Sequence, residues 1–252
     1  MRYLFFLFMI VNASAAESEW VIAHRGASFD APENTTAAIA LALERGAKIV
    51  EFDVRETKDG ELFLCHDEDL KRLCGTEQMF SKLNAAEVRK LDVSSWFAKS
   101  NSPDETPPTL RSAIQQCIAG GAVPLIEHKT GKPETYAQII TGLNAVDQVI
   151  VQSFNWSFIS AIRKLLPTVK IGALGSKQLG EHKTELLEMK PDWVGWNAKD
   201  ISADDISWLK EKGFHIAIWT VNDPVRAREL VDQGADKIIT DRPKFLTGQI
   251  KP

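Results

Sequence analysis

The sequence predicts an α/β fold built around a closed parallel barrel, and two observations carry this prediction. Short apolar segments of strand character alternate with longer amphipathic segments almost to the end of the chain, a pattern typical of βα units that form a parallel sheet. This alternation contains eight strands, and eight βα units predict a (β/α)8 TIM barrel. The length of 252 residues also suits a single barrel of this kind.

The predicted strands are short apolar runs. They lie at 20–23, 48–53, 123–127, 148–153, 169–174, 192–196, 215–221 and 237–240. Helical periodicity fills the intervals, at 35–45, 110–119, 134–146, 156–166, 176–188, 203–212 and 224–233. Three of these helices are followed by Gly46, Gly213 or Gly234, and glycine is the usual residue just past a helix end.

A ninth apolar run, at 62–66, departs from the βα alternation. Only residues 57–60 lie between it and the extended stretch that carries Glu51 and Asp53, whereas a parallel crossover needs a dozen or more residues. The two strands are therefore predicted to be antiparallel, and Asp59-Gly60 is a hairpin turn signal. This hairpin would bring His66 alongside the two carboxylates.

Residues 69–108 interrupt the rhythm of the barrel. They contain one helical pattern at 84–90, then Trp96, Phe97 and a polar loop at 100–107. A segment of this length is too long for an ordinary connection in a compact domain. We therefore expect a small insertion at the active-site end of the barrel, within a single domain over 17–252.

The first sixteen residues have the pattern of a secretory signal peptide. Arg2 is the only charge before Glu17, an apolar run covers 4–11, and small residues follow at 13–16. The run is short for a bilayer span, which takes about 20 apolar residues. We expect residues 1–16 to be removed and the chain to be exported to the periplasm or the medium, without a stable membrane span. The alternative is a hydrophobic anchor or core strand.

Charge and cysteine content exclude some classes of function. The formal net charge is −4 and no long basic run is present, which argues against a nucleic-acid partner. The cysteines are Cys65, Cys74 and Cys117, with no Cys-x-x-Cys pair, so structural zinc and dithiol chemistry are not indicated. Cys65 faces away from His66 by strand alternation, which makes a nucleophilic role unexpected. Whether Cys65 and Cys74 are bridged is left open.

Five residues at or near predicted strand ends point to the chemistry. They are His24, Glu51, Asp53, His66 and Glu127. Imidazole is the side chain best suited to proton transfer near neutral pH. Glu51 and Asp53 are two residues apart and so share one face of a strand. Carboxylates are hard oxygen ligands that suit Ca²⁺ or Mg²⁺ better than zinc. The residues therefore predict an enzyme that acts on a charged ester.

These motifs together resemble the glycerophosphodiester phosphodiesterase family. The amino-terminal matches are His24-Arg25-Gly26, Pro32-Glu33-Asn34-Thr35, Glu51-Phe52-Asp53-Val54, Thr57-Lys58-Asp59-Gly60 and His66-Asp67. The later matches are Glu127-His128-Lys129, Ser153-Phe154, Trp219-Thr220-Val221-Asn222 and Thr240-Asp241-Arg242-Pro243. His128 departs from the family pattern, where an apolar residue is usual, and alternation turns it toward the helices. His182 and His215 match no motif and are interpreted as structural.

The resemblance implies a barrel phosphodiesterase that releases sn-glycerol 3-phosphate and an alcohol from a small-molecule glycerophosphodiester, with one divalent cation, Ca²⁺ or Mg²⁺. It assigns the metal to Glu51, Asp53 and Glu127, and acid–base catalysis to His24 and His66. It assigns the phosphate to Arg25 and Lys129, and the glycerol side of the pocket to Phe154 and Trp219. Glu33 is interpreted as a residue that holds Arg25, and Asn222 and Asp241 receive no role.

Other interpretations of the same residues remain open. Lys129 could be an ion-pair partner of Glu127, and Phe154 and Trp219 could be core residues. A related barrel phospholipase C or D acting on intact lipid would need an exposed apolar rim, for which Trp96 and Phe97 are candidates. A non-catalytic phosphodiester-binding protein is the third reading, although binding alone needs no pair of His residues.

Overall fold

The barrel is observed in a computed structural model that describes residues 20–97 and 104–249. The predicted signal peptide and the first half of the polar loop at 100–107 lie outside these ranges. The strands are β1 (Val21–Ala23), β2 (Ile49–Glu56), β3 (Leu62–Leu64), β4 (Val123–His128), β5 (Ile150–Ser153), β6 (Lys170–Gly175), β7 (Trp193–Asn197), β8 (His215–Trp219) and β9 (Lys237–Thr240).

Eight parallel strands close into the predicted TIM barrel. The order of hydrogen-bonded neighbours is β1-β9-β8-β7-β6-β5-β4-β2, and β1 also pairs with β2. Ile22 in β1 is opposite Ile49 in β2 and Ile239 in β9, which closes the ring. Strand β3 stands outside the ring as an antiparallel partner of β2, with Val54 opposite Leu64, so the predicted hairpin is also confirmed.

The helices surround the barrel, and several of them begin with a side chain that caps the first turn. They are α1 (Thr36–Glu44), α2 (Lys71–Cys74), α3 (Ala85–Val88), α4 (Leu110–Ala119), α5 (Pro133–Gly142), α6 (Trp156–Leu165), α7 (Lys183–Met189), α8 (Ala203–Glu211), α9 (Pro224–Gln233) and α10 (Pro243–Gln249). The side chains of Thr35, Asn155 and Asp223 each accept a backbone N–H of the first turn. Among the described helices, none has the length and apolar run needed to cross a bilayer.

The segment between β3 and α4 folds around an apolar cluster of its own. Phe63, Leu70, Leu73, Phe80 and Val88 are buried there, separately from the core between barrel and helices. The predicted helix at 84–90 is the shorter α3, while α2 and a 3₁₀ turn at Phe80–Lys82 were not predicted. Turns this short have too few residues to show helical periodicity.

Element boundaries differ from the prediction in two informative places. The helix predicted at 176–188 is a 3₁₀ turn, Leu179–His182, followed by α7. Lys177 has a φ of +64° and Gly180 is a poor helix former, so the α-helix starts later. The strand predicted at 62–66 ends at Leu64, and the carbonyl of His66 accepts a hydrogen bond from Arg55 Nε at 3.0 Å.

The cysteines are free thiols. Cys65 and Cys74 are not joined, and Cys65 and Cys117 are buried. Burial raises the pKa of the Cys65 thiol to about 12, and the nucleophile in thiol chemistry is the thiolate. Cys65 is therefore unsuited to nucleophilic catalysis, as the sequence indicated.

Gly26 lets the loop after β1 pack directly on α1. Its φ is +80°, and a Cβ atom at this position would lie 2.6 Å from the carbonyl carbon of Ala38. The N–H of Gly26 donates to the carbonyl of Glu51 at 3.2 Å, and the N–H of Ala27 donates to that of Ala38 at 3.0 Å. This close approach fixes the backbone that carries His24 and Arg25 against β2.

We predict that Gly26→Ala destabilises the protein more than Gly46→Ala does. Gly46 has nearly the same φ, +81°, but nothing lies within 4 Å of an added Cβ. Gly46→Ala should therefore lower the free energy of unfolding only by the cost of a side chain in the left-handed region, about 1–2 kcal/mol. Gly26→Ala should lower it by a further amount of about 1–3 kcal/mol, because the added Cβ overlaps with Ala38. Urea unfolding measures both free energies, and equal losses in the two variants would contradict the packing argument.

Candidate active site

The site lies next to an apolar layer inside the barrel, on the side of the carboxyl ends of the strands. That layer consists of Ile22, Ile49, Leu125, Ile150, Ala217 and Ile239. Two residues further along the same strands or just past their ends lie His24, Glu51, Glu127, Gln152, Trp219 and Asp241. Side chains two apart on a strand share a face, so the polar residues face the barrel axis at the carboxyl ends of the strands, where TIM-barrel active sites lie.

One cavity of about 190 Å³ gathers most of the predicted site residues. Its lining consists of His24, Arg25, Glu51, His66, Glu127, Lys129, Gln152, Phe154, Leu174, Trp219, Thr220 and Ile239. Of the predicted residues, only Asp53 and Glu33 are absent from this lining, and both contact Arg25. Gln152 was not predicted. Its position two residues after Ile150 places it on the same face of β5, and this spacing could have identified it as a cavity residue.

Three buried carboxylates form the centre of the site. Glu51, Asp53 and Glu127 each offer an oxygen, and these oxygens lie within 4.8 Å of one another. Burial and the neighbouring charges of Asp53 and Glu127 raise the pKa of Glu51 well above its usual range. Burial and Asp53 also raise the pKa of Glu127, against the opposing charge of Lys129. Burial alone would raise the pKa of Asp53, but Arg25 and Lys129 outweigh it and lower that pKa.

The carboxylate cluster fits a hard divalent cation. Glu51 Oε1 is buried and has no hydrogen-bond partner among the described residues, which leaves one carboxylate oxygen uncompensated. Three carboxylate donors are the ligand type that Ca²⁺ and Mg²⁺ prefer. Lys129 Nζ lies 3.1 Å from Asp53 Oδ1 and contacts Glu127 Oε1. Its ammonium therefore pairs with Glu127, as one reading of the sequence held, and with Asp53 as well.

Arg25 joins the first loop to the carboxylate cluster. Its backbone N–H donates to Glu51 Oε2 at 2.8 Å, and its Nε lies 3.2 Å from Asp53 Oδ2. Its Nη1 donates to Glu33 Oε1, also at 2.8 Å. The backbone of Arg25 has a φ of +54°, a region that is sparsely occupied by residues other than glycine and that concentrates at functional sites.

Asn34 is a site residue that the sequence analysis placed in a motif without assigning it a role. Its Nδ2 donates to Asp53 Oδ2 at 2.9 Å, and its Oδ1 accepts the backbone N–H of Asp53 at 3.0 Å. Its φ of +56° is one that asparagine adopts more readily than most residues. The pair of bonds fixes the orientation of the Asp53 carboxylate.

His24 is held by the carboxylate of Asp241, which directly follows the last barrel strand, β9. Its Nδ1 lies 2.6 Å from Asp241 Oδ1, while Asn222 Nδ2 donates to Asp241 Oδ2 at 2.6 Å and Ser28 Oγ donates to Oδ1 at 3.0 Å. Burial would raise the pKa of Asp241, but the hydrogen bond and charge of His24 and the bonds from Asn222 and Ser28 lower it to about 2. An ionised carboxylate only accepts hydrogen bonds, so Nδ1 carries the hydrogen and Nε2 of a neutral His24 is the basic nitrogen.

His66, which lines the same cavity, also has its Nδ1 on a carboxylate. Its Nδ1 lies 2.7 Å from Asp67 Oδ1. Burial lowers the pKa of His66, against the opposing effects of Asp53 and Asp67. A lowered pKa leaves more of the imidazole neutral near pH 7 and able to accept a proton.

An apolar wall faces the charged cluster. Phe154 and Trp219 meet edge to face with their ring centroids 5.5 Å apart, and Leu174 and Ile239 complete this side. Phe154 is 48% exposed, so it is not a core residue, and Trp219 is half-buried. The cavity therefore suits a small molecule with an anionic group at one end and a carbon skeleton at the other.

The remaining histidines are structural. His128 stacks on Phe158 at 3.5 Å between ring centroids, and its Nε2 lies 3.1 Å from the carbonyl of Gly131. It thus faces the helices, as alternation predicted. His182 packs between Trp156 and Trp196, and neither it nor the exposed His215 lines the cavity that holds His24 and His66.

Known proteins are similar to this chain in sequence and in architecture. The chain matches the model of the Glycerophosphoryl diester phosphodiesterase family over residues 24–245. It is 32% identical over 237 residues to a glycerophosphodiester phosphodiesterase of Caldanaerobacter subterraneus subsp. tengcongensis, an alignment that covers 92% of this chain and 97% of the relative.

Solved structures give the same result. An Oleispira antarctica phosphodiesterase in complex with the product sn-glycerol-3-phosphate superposes with a TM-score of 0.81 at 28% identity, over 94% of this chain and 98% of the other. A glycerophosphodiester phosphodiesterase of Agrobacterium tumefaciens superposes with a TM-score of 0.77 at 26% identity, over 90% of this chain and 98% of the other.

We predict that Glu51→Gln stabilises the metal-free protein at pH 8. The raised pKa of Glu51 means that the folded state holds this proton more tightly than the unfolded state does. Stability therefore falls as the pH rises above the unfolded value of about 4.3. Gln carries no charge, so the gain should be on the order of 1–2 kcal/mol, or roughly 2–8 °C in Tm, and should shrink toward pH 4.

Thermal unfolding in EDTA at pH 4 to 8 measures this effect. Glu211→Gln, an exposed position at the end of α8, is the matched control and should leave Tm unchanged at each pH. Added Ca²⁺ or Mg²⁺ should raise the Tm of the parent chain more than that of Glu51→Gln. A Glu51→Gln protein less stable than its parent at pH 8 in EDTA would contradict the account of the carboxylate cluster.

Proposed function

The chain belongs to the glycerophosphoryl diester phosphodiesterase family, whose members are phosphoric diester hydrolases, and we propose that it hydrolyses glycerophosphodiesters to sn-glycerol 3-phosphate and an alcohol by metal-dependent His/His catalysis. One observation carries this proposal. Two histidines, each with its Nδ1 on a carboxylate, line the same cavity as Glu51 and Glu127 of the buried carboxylate cluster. General acid–base catalysis and an oxygen-ligated cation are the parts that cleavage of a phosphodiester uses.

Charge balance supports a phosphodiester as the ligand. A divalent cation held by Glu51, Asp53 and Glu127 would withdraw charge from the phosphoryl oxygens. Counted over the three carboxylates, the cation, Arg25 and Lys129, the site would carry one net positive charge. A phosphodiester monoanion would neutralise it. We assign Arg25 and Lys129 to the phosphate, since cationic side chains in a desolvated site stabilise charge that develops during the reaction.

We assign the proton transfers to the Nε2 atoms of His24 and His66. One His removes the proton of the attacking hydroxyl as the new P–O bond forms, and the other donates a proton to the departing alkoxide as its P–O bond breaks. The attacking group is proposed to be the substrate's own glycerol hydroxyl, which gives a cyclic phosphate. Water then opens this ring, with the roles of base and acid reversed, to give sn-glycerol 3-phosphate.

The partial burial of the residues predicted for an apolar rim favours a glycerophosphodiester over intact lipid. About 190 Å³ accommodates a glycerol phosphate group, with Phe154 and Trp219 against its carbon atoms. A phospholipase would need an exposed apolar rim, but Trp96 and Phe97 are half-buried and pack edge to face with centroids 5.6 Å apart. The acid–base pair disfavours a protein that only binds phosphodiesters, because binding requires no proton transfer.

The decisive experiment is release of sn-glycerol 3-phosphate from glycerophosphocholine by the chain comprising residues 17–252. Activity should disappear in EDTA and return with Ca²⁺ or Mg²⁺, and Glu127→Gln should remove most of it even at high metal concentration. If the metal raises Tm but neither this substrate nor other glycerophosphodiesters are cleaved, intact phospholipids become the substrates to assay.

Substitution of each candidate His tests the proposed mechanism. His24→Asn and His66→Asn should each lower kcat by about 10²- to 10⁴-fold, the usual value of acid–base assistance. His215→Asn, exposed and outside the cavity, is the control and should retain kcat within about twofold. Turnover within a few-fold of the parent chain in either site variant would remove that His from the reaction.

We also propose that the protein is exported. The proposal rests on the charge, apolar and small-residue pattern of residues 1–16. Fractionation of cells that express the full chain should find a protein lacking these residues in the periplasm or medium. Full-length protein retained in the cytoplasm or held in the membrane would overturn it.

A further inference from the structure

Arg72 in α2 bridges two neighbouring carboxylates, Glu33 and Asp67. Its Nη1 and Nη2 donate to Glu33 Oε2 and Oε1 at 2.8 and 2.7 Å, and its Nε donates to Asp67 Oδ2 at 2.7 Å. The guanidinium therefore forms a two-bond fork with one carboxylate and a third bond with the other. Paired bonds of this kind fix the relative orientation of the groups as well as their distance.

Each of these carboxylates also holds a residue that lines the cavity. Glu33 Oε1 accepts a hydrogen bond from Arg25 Nη1 at 2.8 Å, and Asp67 Oδ1 lies 2.7 Å from His66 Nδ1. The result is one continuous chain of charge-assisted hydrogen bonds: Arg25, Glu33, Arg72, Asp67, His66. Its two ends are the arginine assigned to the phosphate and one of the two catalytic histidines.

The segment between β3 and α4 supports Arg72 from behind. The guanidinium carbon lies 5.3 Å from the ring centroid of Trp96, a distance at which a cation is attracted to an aromatic face. Trp96 is itself fixed, since its Nε1 donates to the carbonyl of Val93 at 2.8 Å. Leu73, the residue that follows Arg72 in α2, is buried in the apolar cluster of this segment. Arg72 is thus anchored to a part of the chain that lies outside the barrel.

We infer that Arg72 is a positioning residue for the proposed reaction: through Glu33 and Asp67 it sets the placement of Arg25 and His66. The inference rests on the proposed function. Loss of the guanidinium would leave two neighbouring carboxylates without the cation they share, and Asp67 would lose the bond that fixes its second oxygen. His66 would then still bond to Asp67, but the orientation of its imidazole would no longer be fixed.

The ionisation of both carboxylates and the shape of the guanidinium support this inference. Burial would raise the pKa of Glu33 and of Asp67, but the hydrogen bonds from Arg72 help to lower both pKa values, so both groups stay ionised acceptors. Lysine could replace the arginine only in part, because an ammonium is a point charge without the planar fork that meets two carboxylates at once.

The test compares Arg72→Met, Arg72→Lys and Arg72→Ala with the parent chain on glycerophosphocholine at saturating metal. Arg72→Met should lower kcat by about 10- to 100-fold, because small displacements of catalytic groups have effects of this size. It should also weaken binding of sn-glycerol 3-phosphate, measured by calorimetry. Arg72→Lys should recover only part of the loss, and millimolar guanidinium should raise the rate of Arg72→Ala several-fold, since Arg72 is partly open to solvent.

A double-mutant cycle identifies the route of the effect. If Arg72 acts through Asp67, the loss of kcat in Arg72→Met with Asp67→Asn should be well below the product of the two single losses, since coupled residues are not additive. Arg89→Met is the matched control: this arginine lies in the same segment, pairs with Glu61 and covers the ring of Phe63. It should keep kcat and KM within about twofold.

The outcomes separate this inference from the proposed function. A parent chain that cleaves no glycerophosphodiester would sink the proposed function and the inference with it. An active parent whose Arg72→Met variant keeps kcat and KM within about twofold would overturn the inference alone. So would multiplicative losses in the double variant, because Arg72 would then not act through Asp67.

Discussion

The burial of three carboxylates at one point is the constraint on which the rest of the site depends. Glu51, Asp53 and Glu127 are 1%, 1% and 7% exposed, and uncompensated buried charge is among the costliest features a fold can contain. Arg25 and Lys129 compensate part of this charge, yet Glu51 Oε1 stays without a hydrogen bond among the described residues. Such a local violation of the rules for stable packing is expected where function requires it, and here it favours a cation.

The same constraint explains the unusual backbone around the first strand. Arg25 can present both its N–H and its side chain to the carboxylates only because the chain turns sharply after His24, with positive φ at Arg25 and Gly26. The turn is held by the contact of Gly26 with α1 and by the bond from Gly26 N–H to the carbonyl of Glu51. Local strain is thus balanced by packing between rigid elements of the barrel.

The features that could be predicted are those that depend on strand periodicity. The alternation of strands and helices predicted the barrel, the short turn at Asp59-Gly60 predicted the antiparallel hairpin, and the positions of strand ends predicted the candidate site. The contacts of Asn34, Asp241 and Arg72 could not be predicted in this way. Asp241 reaches His24 across 217 positions of the chain and Arg72 reaches Glu33 across 39, so tertiary packing, and no local pattern, brings these pairs together.

The two histidines are alike in their carboxylate partners and differ in what holds those partners. Asp241 follows the barrel strand β9 and is fixed by Asn222 and Ser28, all within loops of the barrel itself. Asp67 follows the hairpin and is fixed by Arg72 from the segment outside the barrel. We therefore expect changes in that segment to affect the proposed reaction through His66 and Arg25, and to leave the support of His24 intact. Loops of the barrel hold one half of the proposed acid–base pair, and the added segment holds the other half.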